Sequence, residues 1–117
     1  MILAVFLIAS NLATGQTNVA GEWAVSLTVP LGEVRFTMLL VQKGERLSGH
    51  MLNETGQFPL EGVITGDQLK FDWTVPDGGK LVTVTFTGKA APTSISGTAK
   101  AGDLGEGPMY AERRNEQ

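Results

Sequence analysis

From position 21 onward, apolar and polar residues alternate with a period of two, and the alternating stretches are rich in Val, Thr, Leu, Phe and Trp. That is the signature of strands with one dry and one wet face. Turn-forming residues interrupt it every eight to twelve residues, at Pro30-Leu31-Gly32-Glu33, Lys43-Gly44-Glu45-Arg46, Asn53-Glu54-Thr55-Gly56, Gly66-Asp67, Pro76-Asp77-Gly78-Gly79, Ala91-Pro92-Thr93 and from Gly102 to Gly107. Seven turns separate eight strands, placed near 21–29, 34–42, 46–53, 57–65, 68–75, 80–88, 94–100 and 107–114. No segment carries helical periodicity. The connections are too short for crossovers, so consecutive strands are expected to pair as antiparallel hairpins in a meander.

The alternation assigns Trp23, Val25, Leu27 and Val29 to the dry face, followed by Val34, Phe36, Met38, Leu40, Leu47, Gly49, Met51, Phe58 and Leu60. The series continues through Leu69, Phe71, Trp73, Val75, Val82, Val84, Phe86, Ile95, Gly97, Ala99, Met109, Ala111 and Arg113. At Gly62 the pattern predicts a bulge, because apolar residues resume out of phase at Val63. The wet face carries Thr28, Arg35, Thr37, Lys70, Asp72, Thr74, Thr83, Thr85, Thr87, Lys100 and Glu112. Eight strands with one dry face each must close on themselves or split into two packed sheets. The expected fold is all-β: an eight-stranded antiparallel up-and-down barrel, whose interior is wide enough to be filled by side chains or to hold one small ligand.

The chain has 117 residues, and the segment before the strands changes the picture of its domains. Met1 to Ala9 is almost wholly apolar and leads to a small-x-small site, Ala13-Thr14-Gly15, in front of Gln16, although no Lys or Arg precedes the run. Residues 1–15 read as a secretory signal peptide and residues 16–117 as a single barrel domain. The apolar run is shorter than the roughly 20 residues a membrane span requires, so no stable membrane insertion is expected after its removal. The expected location is secreted or periplasmic. With no cysteine, the core must supply stability without disulfides, which a domain of this size can do.

The order Gly21-Glu22-Trp23 opening the first strand, with Arg113 near the end of the last, resembles the calycin plan of lipocalins and their relatives. The resemblance implies that Trp23 and Arg113 plug one barrel end, the guanidinium lying over the ring. The chain is too short for a lipocalin's long first loop and C-terminal helix, and it has no Thr-Asp-Tyr motif. Gly-x-Trp, Gln42-x-Gly44-x-x-Leu47-x-Gly49 and Ile95-x-Gly97 together resemble compact bacterial secreted barrels. Leu47-Ser48-Gly49 and Trp73-Thr74-Val75 are similar to avidin-type strands. Met51 and Asn53 stand where that family would place its biotin-binding Tyr and Ser.

Candidate chemistry is sparse. Nine basic and twelve acidic residues give a net charge of −3 with no basic patch, which argues against nucleic-acid binding. One histidine and no cysteine cannot build a transition-metal site. A Ser-His-Asp triad would need His50 as base with Ser26 or Ser48, yet no elbow motif surrounds either serine. Asp72 stands between inward Phe71 and Trp73 and is expected in water, and Asp77-Gly78-Gly79 lacks the alternating acids of a calcium loop. No enzyme activity, metal or cofactor is expected. The remaining candidate is the interior, where Phe36, Met38, Met51, Phe71, Trp73 and Phe86 suit a small apolar ligand and equally suit a filled core. Two readings therefore stand: an exported noncatalytic binding module, and an exported interaction or structural protein with a filled barrel. If Trp23 plugs the end bearing the even-numbered turns, the open mouth carries the turns near 30–33, 53–56, 76–79 and 102–107.

Overall fold

A computed structural model describes residues 16–30, 32–102 and 105–114. The segment read as a signal peptide and the tips of the first and last turns lie outside the described residues. Eight strands follow one another: β1 (Gly21–Val29), β2 (Gly32–Lys43), β3 (Arg46–Asn53), β4 (Gly56–Thr65), β5 (Gln68–Asp77), β6 (Lys80–Ala90), β7 (Ser94–Ala101) and β8 (Glu106–Arg113). Each pairs antiparallel with the next, and β8 returns to β1, so the sheet is a closed barrel. Among the described residues no helix is long and apolar enough to cross a membrane.

The strand positions agree with the turn chemistry. Gly44, Gly66, Gly78 and Gly102 adopt φ between 54° and 64°, the left-handed region that tight turns require and that glycine enters without a Cβ penalty. Most strands run one or two residues further into a turn than the alternation suggested, because hairpin pairing continues to the last rung: Val29 faces Gly32, Asn53 faces Gly56 and Asp77 faces Lys80.

One local expectation fails. β4 has no bulge at Gly62: its register runs unbroken against both neighbours, with Gly62 facing Leu47 on one side and Phe71 on the other. The inward series is therefore Phe58, Leu60, Gly62, Ile64. Ile64 is fully buried, whereas Val63 points outward and is 51% exposed. The glycine serves packing instead. A Cβ there would strike the Lys70 carbonyl and the Cα and Cβ of Phe71, so only Gly lets β5 approach this closely.

The core is one continuous cluster, and burial of the inward side chains falls from one barrel end to the other along β1, β2, β5 and β6. On β1, Trp23 and Val25 are buried, and Leu27 and Val29 are half-buried. On β2, Leu40 and Met38 are buried, Phe36 is half-buried, and Val34 is 46% exposed although its parity is inward. Leu69, Phe71 and Trp73 of β5 are buried and Val75 half-buried. On β6, Ala90, Phe86 and Val84 are buried and Val82 half-buried. Parity places a side chain inside the barrel; its height along the axis decides whether neighbours cover it. The outward residues Thr28, Arg35, Lys70, Asp72, Thr74, Thr83, Thr87, Lys100 and Glu112 are exposed.

Candidate functional site: an open mouth above a sealed end

The sealed end is built by residues that precede β1. Gln16 to Ala20 crosses the barrel bottom as a strap, tied to the even-numbered turns. The Thr17 N–H donates to the Gly66 carbonyl at 3.0 Å. The Val19 N–H donates to Gln42 Oε1 at 2.8 Å, and Gln42 Nε2 donates to the Thr17 carbonyl at 3.2 Å. Val19 is completely buried, and its carbonyl accepts from Trp23 Nε1 at 2.9 Å.

Arg113 locks this arrangement. Trp23 and Arg113 are register partners across the β1–β8 closure. The guanidinium carbon lies 4.6 Å from the Trp23 ring centroid, within cation–π range. All three of its nitrogens reach carbonyl oxygens: Nε that of Pro92 at 2.9 Å, Nη1 that of Ala20 at 2.6 Å and Nη2 that of Asn18 at 2.7 Å. A cation at an inward position is tolerable because each of its nitrogens donates to a carbonyl, the side chain is only half-buried, and the ring covers one face. The strap was not legible as an element, since five residues carry no periodicity. Its one signal is Gln42, a polar residue continuing the inward parity of Leu40.

The opposite end is open. Two adjoining cavities lie there, bounded by the odd-numbered turns and sharing a ridge of Leu27, Val75, Pro76 and Val84. The larger lobe, about 570 Å³, is aliphatic, with Val29, Val82, Ala99 and Ala101 in its wall and Asp77 and Glu106 at its rim. The smaller lobe, about 230 Å³, is aromatic: Phe36, Phe58 and Trp73 line it with Met51, beneath a polar edge of Asn53 and Thr55. Asn53 Oδ1 accepts from the Thr55 backbone N–H at 2.8 Å and from its hydroxyl at 2.6 Å, which fixes this rim.

The six interior residues proposed from sequence therefore divide by height. Phe36, Met51 and Trp73 border the mouth. Met38, Phe71 and Phe86 line neither lobe and are buried beneath them in the core. An aromatic chain links the two levels: Phe36 to Trp73 at 6.0 Å between centroids, Trp73 to Phe71 at 5.9 Å and Phe71 to Phe86 at 5.0 Å, all tilted. Phe71 packs against Trp73 from below the cup, and Phe86 packs against Phe71 deeper in the core. Leu27, Phe58, Val75, Val84, Asn53 and Thr55 were not singled out from sequence as site residues. Their signal was inward parity beside an odd-numbered turn or, for Thr55, a place in that turn.

Elsewhere the surface offers little chemistry. A depression of about 730 Å³ on the outer face of β2 to β5 mixes Val41 and Val63 with Lys43, Arg46, Glu61 and Asp72. Ser48 and His50 are exposed on the outer face of β3 with no hydrogen bond between them. Among the described residues no three His, Cys, Asp or Glu side chains gather as a metal site.

No protein-family model matches this chain, and no curated protein matches it. Solved structures do. A redesigned β-barrel shares 19% identity over 90% of this chain and 96% of its own, with a TM-score of 0.60. A second redesigned barrel, bound to DFHBI, shares 19% over 81% of this chain and 94% of its own, at 0.59. A de novo designed fluorescence-activating β-barrel shares 18% over 82% and 94%, at 0.56. At such identities the likeness is one of fold: this chain is a closed eight-stranded antiparallel up-and-down β-barrel, similar in architecture to barrels built by design.

Proposed function

We propose that the chain is an exported, noncatalytic binding module that holds a small apolar molecule in the open mouth of its barrel. The observation that carries this reading is the burial gradient. The sealed half is packed solid around Trp23, Met38, Phe71 and Phe86, whereas the other half is left as an apolar cup. A cup of this volume with few polar groups is the usual form of a small-molecule site. One of the similar barrels is bound to DFHBI, which agrees with this use of the architecture.

Titration with the fluorescent apolar probe N-phenylnaphthylamine tests the reading. Saturable uptake at one site is expected, and Val75→Trp on the shared ridge should abolish it with little change in melting temperature. Absence of saturable binding by the wild type would overturn it. The second reading is an exported interaction protein, supported by outward Leu81, 76% exposed, and Val41, Val63 and Tyr110. It gains if probe uptake is absent and association appears as concentration rises.

A further inference from the structure

Trp73 holds a hydrogen-bond donor that no described residue uses. The side chain is only 5% exposed. It borders the aromatic lobe of the mouth. The other tryptophan, Trp23, donates its Nε1–H to Val19, but no described residue accepts from Trp73 Nε1. Among the described residues no side-chain nitrogen or oxygen sealed from solvent lacks a partner, so the Trp73 N–H lies at the small accessible edge of the residue. Trp73 also borders a shallow outer depression with Pro59, Glu61, Asp72 and Thr74, but its side chain has inward parity on β5, and the space open to an inward indole is the aromatic lobe of the cup. A buried indole ordinarily finds an acceptor, because leaving the donor dry and unpaired is unfavourable.

The charge of the walls narrows the acceptor. Neither lobe is lined by Lys, Arg or His, whereas Asp77 and Glu106 border the larger one. An anionic ligand would meet two carboxylates and no cation. A neutral carbonyl or ether oxygen would meet the indole N–H without that opposition.

We infer that the mouth is specific for a neutral, largely apolar molecule carrying a carbonyl-type oxygen, seated with that oxygen against Trp73 Nε1. The flat part of the ligand lies against Phe36 and Phe58, and its aliphatic part crosses the Leu27–Val75 ridge into the larger lobe. This rests on the reading of the mouth as a ligand site and adds the chemical class of the ligand.

The test uses three probes of matched ring and size: acetylnaphthalene, isopropylnaphthalene and naphthoate. Affinities are measured by calorimetry, and the two indole N–H signals are followed by ¹⁵N-resolved NMR. The acetyl compound should bind about tenfold more tightly than the isopropyl compound, the equivalent of one neutral hydrogen bond in place of an unpaired donor. Naphthoate should bind more weakly than either. The Trp73 indole proton should move downfield with the acetyl compound alone, while the Trp23 signal at the sealed end stays fixed. Trp73→Phe should erase the preference and keep affinity for isopropylnaphthalene. If that variant does not fold, the wild-type spectra and the matched pair still decide. Equal affinities with an unmoved Trp73 signal would overturn the inference and leave the mouth a binding site, and naphthoate binding most tightly would overturn the neutral-ligand assignment. Binding of none of the three would overturn the mouth reading and this inference together.

Discussion

Replacing Trp23 with Ala should remove the sealed end as a unit. The ring is completely buried, and losing it costs about 3–5 kcal/mol in transfer and cavity terms. The stacked Arg113 at 4.6 Å adds about 0.5–2 kcal/mol. The Val19 carbonyl loses its 2.9 Å donor, and the strap loses one of its anchors. The summed loss of about 3.5–7 kcal/mol is comparable with the whole stability of a small domain, about 5–15 kcal/mol. At roughly 4–8 °C per kcal/mol for a domain of this size, the melting temperature should fall by at least about 14 °C. Urea unfolding followed by far-ultraviolet circular dichroism measures the loss directly. Arg113→Met should cost about 1–2 kcal/mol by removing the cation over the Trp23 ring and the partner of the part-buried Ala20 carbonyl, since the Pro92 and Asn18 carbonyls are open to water. The double variant should be less destabilised than the sum by about 1 kcal/mol, because the two residues are in contact. A Trp23→Ala loss below about 1 kcal/mol, or strict additivity, would refute the plug.

Three further outcomes are expected. Phe86→Ala should lower stability by about 3–5 kcal/mol and leave a residual folded fraction with unaltered probe affinity, whereas Val75→Trp should do the opposite; chemical denaturation and probe titration on the same samples separate them. Gly62→Ala should destabilise by about 1–3 kcal/mol, because the new methyl meets the Lys70 carbonyl and Phe71, and a neutral result by thermal melting would contradict the close β4–β5 approach. If the chain is exported and cleaved as proposed, mass spectrometry of the extracellular or periplasmic protein should find Gln16 at its N-terminus, and recovery of the intact apolar segment from membranes would count against it.

Much of this architecture was legible because an antiparallel strand with one wet face writes its orientation into every second residue. The Thr83-Val84-Thr85-Phe86-Thr87 run of β6 admits one reading, and the structure agrees with it. Val63-Ile64 does not. Two adjacent apolar residues after a glycine fit either parity, and the choice was settled by Phe71 packing onto Gly62, a neighbour the local sequence does not name. The cup was hidden for a related reason. Phe36 and Met38, or Trp73 and Phe71, share a strand and a face and differ by one rung. Whether a rung is floor or wall follows from the register of all eight strands and from how far each hairpin rises. The unpaired indole of Trp73 is more remote still, since it is defined by the acceptors that do not surround it.

The strap and the last strand also fix how the molecule can be attached to anything else. Gln16 meets the barrel beside Ile64, and at the other end of the chain Arg114 donates its backbone N–H to the Glu22 carbonyl. Both described ends therefore emerge at the sealed side, facing away from the cup. A fusion or surface tether added at either end would present the mouth outward and unobstructed. A circular permutant joining the two ends should tolerate reopening at the 53–56 or 76–79 hairpin. Reopening at 43–46, next to the Gln42 that holds Val19 and Thr17, or at 66–67, where Gly66 holds Thr17, would loosen the moorings of the strap itself.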